Sequence, residues 1–102
     1  MKNSIELIAD ERRRQKEEEG WTPEHDDQHD NSEMALAAAC YAHPNPERED
    51  GHYYVDKRDI TPKDWPWSDA AYKPVPHDRV RQLVKAGALI AAEIDRINRK
   101  RE

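Results

Sequence analysis

Two imidazoles and four carboxylates fall within nine positions of this chain, in the run His25-Asp26-Asp27-Gln28-His29-Asp30 followed by Glu33. Imidazole together with carboxylate suits a divalent transition metal, whereas carboxylates alone suit Mg²⁺ or Mn²⁺. If helical geometry begins near Asp30, His29 and Glu33 stand at i,i+4 and Asp30 and Glu33 at i,i+3, so either pair projects from one face. His25, Asp26, Asp27, His29, Asp30 and Glu33 are therefore the candidate metal ligands, with Mg²⁺ or Mn²⁺ as the candidate ion. Asp27 and Glu33 are the candidate groups to activate water. The same residues have a plainer use, because Asp and His ahead of a helix are ordinary N-terminal residues favoured by its dipole. The run matches neither H-E-x-x-H nor another recognised metal spacing.

Trp21, Trp65 and Trp67 offer flat apolar faces on which a base could stack. In a chain without phenylalanine they are equally the missing volume of a core. Arg12 and Lys85 are candidate phosphate contacts, with Lys73 and Arg79 as further cations. A solvated helix face is the alternative use for such side chains.

Five pieces must position these residues. Positions 4–19 read as a helix capped by Ser4, with Ile5, Ile8 and Arg12 on one face and Leu7 widening it. Glu17, Glu18 and Glu19 oppose the dipole at its C-terminal end, so that end is expected to fray. Gly20 stops the helix, Pro23 prevents its continuation, and residues 20–31 read as a loop. A second helix over 31–43 is capped by Asn31 or Ser32 and ended by Pro44 and Pro46. Its alanines allow another helix to approach closely.

Residues 44–76, rich in proline and aromatic side chains, are expected to form an ordered flap, with Tyr53-Tyr54-Val55 and Ile60 as a possible hairpin. The last helix, over 77–99, carries Val80, Leu83, Gly87, Ile90, Ile94 and Ile97 at alternating steps of three and four. That stripe reads as a core face or, equally, as a dimer seam. Gly87 within it points to a close helix crossing.

The expected architecture is thus all-α: one domain over 1–102, a small bundle of three main helices completed by dimerisation. With 35% apolar and 38% charged residues, 102 positions make a thin core, which also favours self-association. A net charge of −5 argues against binding duplex nucleic acid. The single Cys40 excludes an intramolecular disulfide. With no 18-residue apolar stretch and a charged start, the expected location is cytoplasmic, with no membrane partner.

Glu11-Arg12-x-Arg14-Gln15, then Gly20-Trp21 and a His-bearing loop, then Arg81-Gln82-Leu83-Val84-Lys85-Ala86-Gly87-Ala88-Leu89-Ile90 running into Glu93-Ile94-Asp95-Arg96, form a familiar combination. It resembles small phage and prophage proteins of the MazG-like, all-α nucleotide pyrophosphohydrolase group, over the two terminal thirds of the chain. The resemblance implies a dimeric helical bundle that uses Mg²⁺ to split a nucleoside triphosphate into monophosphate and pyrophosphate. It also implies metal ligands from Glu-x-x-Glu and Glu-x-x-Asp pairs. Here the second pair falls on Gln82 and Lys85, and the helix after the loop keeps only Glu33. Two functions follow from that departure: an enzyme whose metal site has moved to the His25–Glu33 run, or a non-catalytic nucleotide binder in which Lys85 supplies the positive charge. A small protein–protein interaction module is the third.

Overall fold

The computed structural model describes residues 1–43, 65–75 and 78–101. The expected hairpin around Tyr53, Tyr54, Val55 and Ile60, and the prolines 44, 46, 62 and 76, lie outside the described residues. Those residues hold four α-helices and no strand: α1 (Ser4–Glu18), α2 (Pro23–Asp27), α3 (Glu33–Ala42) and α4 (Arg79–Arg101). A single 3-10 turn, Asp69–Ala71, precedes α4. None of these helices is long and apolar enough to cross a membrane.

Asn3, not Ser4, caps α1: its side chain accepts the Glu6 N–H while the Glu6 carboxylate accepts that of Asn3, a reciprocal capping box. Gly20, at φ +74°, ends the helix in the left-handed region that favours glycine. Two of the three C-terminal glutamates, Glu18 and Glu19, are tied down where fraying was expected. Arg14 donates to Glu18 at 3.4 Å and Glu19 at 3.1 Å, and Lys73 donates to Glu19 at 3.2 Å.

The segment read as a loop contains α2. Thr22 caps it by accepting the His25 N–H at 3.3 Å, and Pro23 occupies its first turn. Helix α3 starts after Ser32, whose φ of 64° leaves its side chain off the helix end. The Glu33 carboxylate takes the Asn31 N–H there at 2.6 Å. At the far end, Arg79 donates to the carbonyls of Ala42 and His43, which lie past the reach of the helix's own N–H groups.

Helix α4 packs against α1, α2 and α3. The core joins Met34, Ala37, Ala38 and Tyr41 of α3 to Ala86, Leu89 and Ala92 of α4, closed by Trp65 and Tyr72. Alanines on both helices bring the backbones together, and the two aromatic rings fill the end. Of the two uses open to the stripe, a core face or a dimer seam, the first is not taken: Val80, Leu83, Ile90, Ile94 and Ile97 are exposed on this chain. The small side chains of α4 won the interior because close packing against an alanine-rich partner needs small residues on both sides. Gly87 meets a close crossing, as its position predicted, with Ile8 of α1 directly against it.

Candidate functional site

The polar residues of α1 form one wall of a cleft of about 280 Å³. Glu11 is buried, and Arg14 grips it through two bonds of 2.8 and 2.9 Å. Gln15 adds a third at 3.2 Å, and Arg81 of α4 reaches the same carboxylate. Burial alone would push the Glu11 pKa up. The Arg14 hydrogen bonds and the Arg81 charge outweigh it and hold the carboxylate below its ordinary value. Glu19 at the rim is likewise held low by Arg14 and Lys73 against its own desolvation.

Lys85 and Leu89 of α4, Tyr41 of α3, Lys73, and the 3-10 turn around Ala71 line the rest, with Trp21 at one side. The Lys85 ammonium lies 5.7 Å from the Tyr41 ring centre and has no hydrogen-bonding or ion-pairing partner among the described residues. Burial lowers its pKa. The buried Gln15 Oε1 also has no hydrogen-bond partner among the described residues. Three cations line this cleft (Arg14, Lys73, Lys85) against two carboxylates (Glu11, Glu19), and Arg81 reaches Glu11 from outside it, so the balance favours an anion.

The acidic, imidazole-bearing run lies against a second hollow, of about 200 Å³, lined by Trp21, His25, His29, Trp67 and Ala71. Trp21 and Ala71 line both hollows, so the two adjoin. His25 Nδ1 faces Asp26 Oδ1 at 3.1 Å, the two Nε2 atoms stand 3.4 Å apart, and His29 Nδ1 faces Glu33 Oε2 at 3.3 Å. Trp21 stacks parallel to His25, and Trp67 leans on His29.

The other expected site residues are placed differently. Asp26 is fully buried and bonded to Arg12 at 3.3 Å, so Arg12 is an interior partner of α2 and not a group at the cleft. Asp27 accepts from Arg99 at 2.8 Å, and Asp30 is exposed. Trp65 belongs to the core, its Nε1 donating to the Ser68 carbonyl at 2.9 Å. Glu33 is held below its ordinary pKa, burial being outweighed by the Asn31 and Glu33 N–H groups and His29.

No group of three or more His, Cys, Asp or Glu side chains among the described residues is arranged to hold a metal ion. The buried carboxylates do not fit a Mg²⁺ site, because each is already engaged by guanidinium: Glu11 by Arg14 and Arg81, Asp26 by Arg12, Glu93 by Arg96. At the positions where paired carboxylates were sought, Gln82 Oε1 accepts the Val75 N–H at 2.7 Å and Lys85 lines the cleft. The anion-favouring wall built by Glu11, Arg14 and Gln15 was not anticipated as a site. Its one sequence signal is the run Glu11-Arg12-x-Arg14-Gln15 itself, in which Arg12 alone was expected at the site.

Comparison with protein-family models, with curated proteins and with solved structures gives no match.

Proposed function

We propose that this protein binds a nucleotide without turning it over, its phosphate held by Lys85 and its base lying on Trp21. The observation that carries the reading is the half-buried Lys85 ammonium, which faces a cleft beside an indole and makes no direct ion pair or hydrogen bond among the described residues, the Glu11 and Glu19 carboxylates acting on it only across the cleft. A buried cation gains most from a ligand that brings its own negative charge. The unpartnered Gln15 Oε1 on the same wall can accept from a base amino group or a ribose hydroxyl. At about 280 Å³ the cleft is at the lower end of small-molecule sites, which favours a mononucleotide. Engagement of the buried carboxylates by guanidinium argues for binding ahead of Mg²⁺-dependent hydrolysis.

The reading includes a homodimer, supported by the exposed apolar stripe of α4. Residues repeating at steps of three and four form the seam along which two identical helices interlock.

The test is a thermal-unfolding screen of nucleoside mono-, di- and triphosphates with the metal chelated. A ligand at ten times its Kd contributes about 1.4 kcal/mol, a rise of roughly 6–11 °C for a chain of this size. The rise should vanish in Lys85→Ala. A flat screen at millimolar nucleotide sinks the proposal.

A further inference from the structure

We propose that His25 and His29 form a binding site for a borderline divalent transition metal of the zinc type, with Asp26 and Glu33 as the carboxylates that orient the two rings. The argument starts with the chain path. Past the end of α2 the backbone keeps turning, with Gln28 N–H on the His25 carbonyl and His29 N–H on that of Asp26. Two histidines four apart are thereby placed on one side of a single coil, with ring centres 4.8 Å apart.

Each Nδ1 faces a carboxylate oxygen, at 3.1 Å for His25 and 3.3 Å for His29. A carboxylate accepts, so each Nδ1 carries the proton and each Nε2 keeps a lone pair. Two such lone pairs 3.4 Å apart call for a cation between them. A proton shared in a long N–H···N bond is one such cation and a metal is the other, and metal titration separates the two. A metal fits: two nitrogens bonded at about 2.05 Å to a tetrahedral centre are about 3.3 Å apart. A carboxylate behind each ligating imidazole is the usual outer support of such a site.

The chemistry selects the ion. An imidazole pair suits Zn²⁺, Co²⁺, Ni²⁺ or Cu²⁺, not Mg²⁺. Of the remaining carboxylates, Asp27 is taken by Arg99. Both imidazoles are partly exposed on the wall of the 200 Å³ hollow, so water or a ligand donor can complete the coordination. The site does not depend on nucleotide binding and is tested without nucleotide.

The experiment titrates the chelator-stripped full chain with Zn²⁺ by calorimetry and with Co²⁺ by visible absorption. One ion per chain is expected, with the intense absorption of tetrahedral Co²⁺. Zn²⁺ uptake should be lost in His25→Ala and in His29→Ala, whose metal-free circular dichroism should match the parent. Glu33→Gln should weaken it by roughly 10–100-fold while leaving both ligands present. Absence of saturable Zn²⁺ uptake overturns the proposal, as does uptake that survives removal of both histidines.

Discussion

The Cβ that Gly87 lacks would stand 2.7 Å from Ile8 Cδ1 and 3.0 Å from Cγ1, so α1 and α4 cross at the one position where α4 has no side chain. Gly87→Ala adds about 1 kcal/mol of helix propensity but overpacks a contact at a cost of about 1–3 kcal/mol. The expected result is a net loss of about 1 kcal/mol in urea unfolding. Ile8→Val removes Cδ1, so Gly87→Ala should cost less in that background. A double-mutant cycle with no coupling would contradict the crossing.

The parts legible in the sequence were those written in local chemistry. The three long helices, the Gly20 stop and the Gly87 crossing follow from spacing and from residues with one structural use. Helix α2 was legible too and was passed over: Thr22, Pro23 and Glu24 are a cap, a first-turn proline and a first-turn acid in succession. The facing of α4 was not legible. That helix has large apolar residues on one side and alanines with Leu89 on another. Hydropathy selects the large ones, while packing against the alanines of α3 selected the small. The burial of Glu11 was not legible either: its pairing with Arg14 is local, but Arg81, which closes over the same carboxylate, lies 70 residues away.

The exposed Ile90 and Ile94, at 48% and 52% accessible, provide the check on self-association. Sedimentation should give a dimer for the parent chain. Ile90→Glu with Ile94→Glu should give a folded monomer, since neither residue belongs to the core of this chain. A parent chain that stays monomeric at high concentration would remove the seam.

The interior pair Arg12–Asp26 gives an asymmetric stability prediction. Asp26 is fully buried, Arg12 Nε and Nη1 have no hydrogen-bond partner among the described residues, and the other carboxylate near Arg12, Asp95 at 3.7 Å, is exposed, so Asp26 is the main compensation for a desolvated cation. Asp26→Ala should cost about 3–5 kcal/mol in denaturant unfolding. Arg12→Met with Asp26→Leu should recover much of it, because removing both charges removes the penalty. Equal losses for the single and double variants would show that the pair is not what the site depends on.

Glu11 should govern the acid limb of stability. Its carboxylate titrates lower in the folded chain than in the unfolded one, so its contribution is in place above the ordinary glutamate range of about 4.3 and is lost as pH falls through the lowered folded value. In Glu11→Gln the denaturant midpoint should be lower near neutrality and should change less between neutral and acid pH. An acid limb identical to the parent's would assign acid unfolding to other groups.

Lys85 has the opposite charge and should govern the alkaline limb of ligand binding. Burial favours its neutral form, and an anion binds only the charged one. Nucleotide affinity should therefore begin to fall at a pH below the ordinary lysine value of about 10.4, where exposed lysines are still protonated. An anion bound against Lys85 should draw a proton onto it at those pH values, so calorimetry in buffers of different ionisation enthalpy should report proton uptake. Lys85→Arg keeps the charge through this window and should flatten the profile. If affinity in Lys85→Arg falls over the same range as in the parent, the titrating group is elsewhere and the phosphate does not sit on Lys85.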